Sequence, residues 1–236
     1  GPTANGFIIS VTFLAIAVGS IPVGITLDRA DTRRSVVAAA VLFCVANVVA
    51  WLAAADGRYW GLILARVVAS VGYVALWNAG ATVVGNAFPA DWRATALGVY
   101  TASAPVGFVV AQITSPLVAT HFDWALVFAS ASVGVLPPLA LFVVASRGHA
   151  FPDDAGEAPS FADFGRVLSD RRVIVLGVLG FLAYSVYVFF NSWIPTFLSE
   201  TYTLSLTQSG LLAALYPAIG IFSRSSGGLF SDRLLG

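Results

Sequence analysis

Seven stretches of this chain, each about 20 residues or longer, run almost without charge, and they constrain its fold more than any other feature. They cover residues 5–27, 35–55, 59–86, 94–119, 124–146, 172–198 and 206–230. A helix of about 20 mostly apolar residues crosses the hydrocarbon of a bilayer. In that medium each backbone N–H and C=O must find a partner inside the protein, which a helix supplies along its own length. Composition agrees: 58% of residues are apolar and 10% charged, against about 45–50% and about 25% in soluble domains. A water-soluble globule and a disordered chain are both excluded. The single cysteine, Cys44, excludes a disulfide scaffold, and a formal net charge of zero leaves no basic surface for nucleic acid. The expected fold class is an all-α membrane protein, a multi-pass helical bundle.

The spans hold internal prolines: Pro22, Pro105, Pro137, Pro138, Pro195 and Pro217. These would break soluble helices, but within a bundle neighbouring helices can take the freed carbonyls. The first span is too long for a signal-peptide core and no small-residue cleavage site follows it. Orientation follows from the arginines. One set of alternate connecting segments holds Arg29, Arg33, Arg34, Arg93, Arg147, Arg166, Arg171, Arg172 and Arg233; the other set holds only Arg58. The arginine-rich side is cytoplasmic, and the first span runs from outside to inside. The longest connection, residues 147–171, reads as a linker between two bundles, with Phe161 to Leu168 able to form a short interfacial helix. The expected division is 1–146, five spans; 147–171, a cytoplasmic linker; and 172–236, two further spans.

An internal repeat ties these parts together. The first span ends Gly24-Ile25-Thr26-Leu27-Asp28-Arg29 and the seventh Gly228-Leu229-Phe230-Ser231-Asp232-Arg233, an offset of 204 residues that also pairs Gly6 with Gly210. Both copies sit at the cytoplasmic end of an outside-to-inside helix. At about 34 residues per helix the offset spans six helices, a parallel repeat of six-helix halves of the kind found in secondary transporters. G-x-x-x-D-R in this setting resembles the signature loop of the major facilitator superfamily, which joins helices two and three and again eight and nine. The first copy continues Ala30-Asp31-Thr32-Arg33-Arg34, with Asp31 where that family usually has glycine. Arg66, Ser70 and Gly72 resemble its helix-four pattern, and Phe88-Pro89 through Arg93, Ala96 and Gly98 its helix four to five loop. The resemblance implies a 6+6 transporter of which this chain is helices two to eight of twelve. The absence of methionine agrees with a fragment.

Charge inside a span is costly and usually functional. Arg66 and Arg224 are the two such residues. Arg66 shares a helical stripe with Ser70, Tyr73 and Trp77. A cation, a hydroxyl and two aromatics on one face suit a solute cavity, and the competing reading is an arginine that snorkels outward or caps carbonyls of a neighbouring helix. The sixth span carries a second stripe, Gly177, Gly180, Tyr184, Tyr187 and Asn191, and the fourth holds Gln112. The substrate-binding candidates are therefore Arg66, Tyr73, Trp77, Gln112, Tyr184, Tyr187, Asn191 and Arg224. Arg224 lies two turns before Asp232, among Ser223, Ser225 and Ser226. The gating candidates are Gly24, Asp28, Arg29, Arg33, Arg93, Gly228, Asp232 and Arg233. A carboxylate at the cytoplasmic rim can sit on the positive N-terminal end of a helix from the other half, and nearby arginines can exchange partners with it.

No metal-ligand cluster, phosphate-binding loop, or paired nucleophile and base is present in the sequence, so neither an enzyme nor a cofactor is expected. The expected function is secondary active transport of a small solute by alternating access, as an anion-type symporter driven by a proton or sodium ion. The protein is expected to be a monomer in the cytoplasmic membrane, with the lipid bilayer as its only large partner. The alternatives are a drug or metabolite efflux antiporter, whose helix-five pattern Ala104-Pro105-Val106-Gly107 meets only in part, and a non-transporting membrane receptor.

Overall fold

The computed structural model describes residues 2–27, 30–148, 165 and 169–235. The helices among them are α1 Pro2–Leu27, α2 Thr32–Ala55, α3 Tyr59–Ala87, α4 Ala90–Thr101, α5 Ser103–His121, α6 Leu126–Ala145, α7 Arg171–Tyr202, α8 Leu206–Ala213 and α9 Leu215–Leu235. Seven rods are long and apolar enough to cross a membrane, α4 with α5 forming one and α8 with α9 another. Each of the seven apolar stretches is thus helical, two of them as broken rods. The two broken rods part at Ala102 and Ala214, each three residues before a proline, Pro105 or Pro217. The linker reading and the interfacial helix at 161–168 fall almost wholly outside the described residues.

Turn chemistry ends the helices where the sequence changes character. Asp31 caps α2 through a carboxylate bond from the Arg34 amide at 2.7 Å. This supplies a reason for the acid that stands where the resembled family has glycine. At the end of α2, Gly57 takes a left-handed φ of 68°. That lets Gly57 N–H reach the Ala54 carbonyl and Arg58 N–H the Ala53 carbonyl, a pairing that satisfies two terminal acceptors at once. Ser205 and Gln208 form a reciprocal capping box at the start of α8.

Contacts sort the helices into two units, residues 1–89 with 118–156, and 90–117 with 157–236. This grouping differs from chain order, since α4 and most of α5 join the later helices. In the first unit, α2 and α3 pack through small residues, with Ala50, Ala53, Ala54, Leu62, Ala65 and Ala125 forming a buried cluster. Gly72 makes the closest approach: a Cβ there would stand 2.9 Å from the Phe43 backbone nitrogen. Large apolar side chains point outward instead, such as Leu64 at 66% exposure and Phe222, in the second unit, at 76%. Small inside and large outside is the arrangement of helices that pack by close approach while lipid covers the rest.

Candidate functional site

The second unit contains an arginine, a cluster of tyrosines and a carboxylate held by a helix end, and prolines explain part of its arrangement. A proline has no N–H to give the carbonyl four residues earlier. Pro105 therefore frees the Thr101 carbonyl, and Arg224 on α9 donates to that oxygen at 3.0 Å. Pro195 frees the Asn191 carbonyl, and the Gln112 amide on α5 donates to it at 3.1 Å. Pro116 frees the Gln112 carbonyl, which faces Gly210 so closely that a Cβ there would collide with it. In the first two cases a side chain from another helix fills the place of the missing amide, which costs less than leaving a carbonyl unpaired in an apolar medium.

Arg224 sits in an aromatic setting. Its guanidinium carbon lies 5.5 Å from the centre of the Tyr187 ring. Tyr187 also meets Tyr184 at 6.3 Å, stacked, Tyr216 at 5.7 Å, tilted, and Phe108 at 5.6 Å, edge-on. Phe190 extends the group, 5.5 Å from Tyr216. The Asn191 amide donates to the Tyr187 carbonyl of its own helix. The Tyr187 hydroxyl and Gln112 Oε1 are buried without a hydrogen-bond partner among the described residues. The serines around Arg224 do not turn to it: Ser223, Ser225 and Ser226 bond carbonyls of their own helix.

One end of the same unit holds Asp232. Its carboxylate accepts the backbone N–H of Ala94 at 3.2 Å and of Thr95 at 2.6 Å. These amides lie near the N-terminal end of α4, where the helix dipole favours an anion. Glycine makes the approach possible. A Cβ on Gly228, one turn before Asp232, would collide with the Ala94 carbonyl, and a Cβ on Gly98 would come within 2.8 Å of the Arg224 carbonyl. The spacing G-x-x-x-D thus has a physical reading: the glycine lets α9 close on α4, and the aspartate a turn later reaches its amides. Arg93 and Arg233 are exposed beside this contact. The one ion pair among the described residues joins Arg58 and Asp56.

The first unit treats its arginine differently. Arg66 donates to Oδ1 of the fully buried Asn47 on α2 at 3.1 Å and lies over Phe128 of α6 at 5.8 Å. Along its stripe, the Ser70 hydroxyl bonds the Arg66 carbonyl, and Tyr73 stacks on Trp77 at 6.2 Å. Cys44 and Ser132 link α2 to α6 through each other's carbonyls. Arg33 reaches the Val143 carbonyl at 3.5 Å, near the C-terminal end of α6. Gly24 has open space around its α-carbon, and Asp28 and Arg29 lie outside the described residues.

Of the residues expected from sequence to bind solute, Gln112, Tyr187 and Asn191 are thus linked directly by bonds or ring contacts, and Tyr184 and Arg224 meet Tyr187. Tyr73 and Trp77 pair with each other, and Arg66 turns to Asn47 and Phe128. Sequence reasoning did not single out Thr101, Ala94, Thr95 or Tyr216. The proline rule would have pointed to Thr101, four residues before Pro105. Backbone amides give no residue-type signal, and Tyr216 lies on no recognised stripe.

The signature loop and the seven membrane-length helices agree with a family match along the whole chain. Residues 1–236 match the Major Facilitator Superfamily, and the protein belongs to that family. It is 25% identical over 232 residues to a protein named for metabolite transport in Haemophilus influenzae, covering 91% of this chain and 54% of that one. It is 24% identical to the cis,cis-muconate transport protein of Acinetobacter baylyi, over 97% of this chain and 57% of that one. It is also 24% identical to a nitrite extrusion protein of Bacillus subtilis, over 98% and 57% respectively. The chain spans about half the length of these curated relatives.

Proposed function

We propose that the protein is a secondary transporter that moves a small organic anion across the cytoplasmic membrane by alternating access. Family membership and relatives named for solute transport support the general activity. The observation that carries the anion is Arg224. It is a cation on a membrane-length helix, with a carbonyl and a tyrosine face for partners and no carboxylate within ion-pair reach among the described residues. Such a charge is expensive in a bilayer unless it has work to do. Its planar fork can hold a carboxylate with two parallel bonds. Tyr184, Tyr187, Gln112 and Asn191 complete the solute site in this reading. Arg66, Tyr73 and Trp77 are proposed as solute-contacting residues of the first unit.

Asp232 on the α4 amides is the gate latch of the proposal. Gly228 permits the contact, and Arg93 and Arg233 stand ready to take the carboxylate when it leaves. By the sequence repeat alone, a gating role is proposed for Gly24, Asp28, Arg29 and Arg33 in the other half. Efflux is the second reading, favoured by the relative named for nitrite extrusion.

The test is uptake into proteoliposomes holding the full-length protein, with labelled carboxylates, sugars and amines offered in turn. Carboxylates should accumulate. Arg224→Ala should lower their uptake by about 100-fold, the size of a lost charge-assisted pair, while Arg58→Ala leaves it unchanged. Uptake confined to sugars or amines, or undiminished carboxylate uptake in Arg224→Ala, rejects the anion assignment. Counterflow from preloaded vesicles separates import from efflux.

A further inference from the structure

The rings around Arg224 carry information about the solute beyond its charge. Five aromatic side chains, Phe108, Tyr184, Tyr187, Phe190 and Tyr216, form one connected group whose neighbouring centres lie 5.5 to 6.3 Å apart. The guanidinium rests against the central ring. If filling space between α5, α7 and α9 were the whole task, leucine or phenylalanine would serve, and phenol hydroxyls would be a burden. Yet three of the five are tyrosines, and the Tyr187 hydroxyl is buried without a partner among the described residues. Tyr184 stacks on Tyr187 and keeps 41% of its surface exposed. It continues the ring stack from the guanidinium to a ring that stays partly exposed.

We infer that the solute is a flat, conjugated or aromatic carboxylate, its carboxylate on Arg224 and its ring plane against Tyr184 and Tyr187. The inference rests on the anion reading above and adds the shape of the anion's body. Aromatic faces are negative and edges positive, so a flat π-system gains offset or edge contacts that a saturated ring of the same size does not. The guanidinium is itself planar and stacks on such faces while holding the carboxylate in its plane. Carboxylate and ring are thereby read by one continuous surface, and an alcohol with the same ring loses the charge-assisted bonds. The unpaired Tyr187 hydroxyl gives a polar group at the ring's side of the site, suited to a substituent that donates or accepts a hydrogen bond.

Three probes separate the contributions: benzoate, cyclohexanecarboxylate and benzyl alcohol, titrated by calorimetry into the full-length protein in micelles. Benzoate should bind about tenfold tighter than cyclohexanecarboxylate, and benzyl alcohol should be the weakest of the three. Tyr187→Leu should erase the preference between the two carboxylates, and Tyr187→Phe, which keeps the ring, should retain it. Equal binding of benzoate and cyclohexanecarboxylate by the unaltered protein overturns the inference while leaving the anion reading intact. Binding of benzyl alcohol alone, or of no carboxylate, overturns both. Retention of the full preference in Tyr187→Leu also overturns the inference, because the ring said to read the solute would then be idle.

Discussion

The two units each hold one half-buried arginine among apolar helices, and each partners it with different material. In the first, Arg66 meets a side-chain amide, Asn47, in a neighbourhood of alanines where α2 and α3 approach closely. In the second, Arg224 meets a backbone carbonyl that a proline has left free, amid tyrosines. The first arrangement is a clasp: both partners are side chains and exist for each other. The second is provisional. Its acceptor is the Thr101 carbonyl at the break in the α4–α5 rod, and its guanidinium carbon lies over the Tyr187 ring instead of against a fixed amide. Arg66 thus has a side-chain acceptor within its own unit, whereas Arg224 meets a backbone oxygen and a ring face, which in the proposed reading leaves it bonding capacity for a solute.

Glycine contacts give the largest expected break in this comparison. Gly72→Val drives a side chain into the α2 backbone, and Gly228→Val does so into the Ala94 carbonyl. Overpacking of this kind costs about 1–3 kcal/mol, and both variants should unfold at lower temperature in micelles. They should differ in function. Gly228→Val also moves Asp232 off the α4 amides, so Asp232→Asn made on top of it should change transport little, whereas Asp232→Asn alone should alter it several-fold. If Asp232→Asn has the same effect in both backgrounds, the glycine does not serve the aspartate and the latch reading fails.

The clasp makes an intermediate prediction. Arg66→Leu leaves Asn47 Oδ1 buried and unpaired, which costs about 1–3 kcal/mol of stability. Asn47→Leu leaves a cation without its acceptor, a comparable or larger penalty. Removing both should restore much of the loss, because replacing both partners by apolar groups of similar shape is nearly neutral. Thermal midpoints of the two single variants and the double variant check this. Strictly additive losses would show that Arg66 and Asn47 do not depend on each other.

The sequence made the spans and the repeat legible because both are matters of residue type. Long apolar runs can only be helices in a bilayer, and G-x-x-x-D-R recurs at one fixed offset. The use of Gly228 and Asp232 was only half legible. A carboxylate at a helix end was foreseeable, but its donors are the amides of Ala94 and Thr95, whose side chains announce nothing. Arg66 and Arg224 looked alike in sequence, as single cations within apolar runs. What separates them is the partner on another helix, Asn47 in one case and the Thr101 carbonyl in the other. Only the second left a trace in the sequence, in Pro105, and that trace is local to a different helix from the arginine it serves.

The smallest expected effect tests that trace directly. Pro105→Ala restores an amide that can bond the Thr101 carbonyl within the α4–α5 rod. Arg224 then competes with a backbone donor for the oxygen it now holds at 3.0 Å. A released guanidinium is freer to meet a carboxylate, so anion affinity should rise by a few-fold. The rod loses its break at Ala102, so turnover should fall by a similar factor if the kink takes part in rocking. The measurement is the split between KM and kcat for carboxylate uptake in proteoliposomes. Arg224→Ala combined with Pro105→Ala should abolish the gain in affinity, since the residue that profits is then missing. A gain that survives in the double variant would show that the proline acts on the solute by some route other than the arginine.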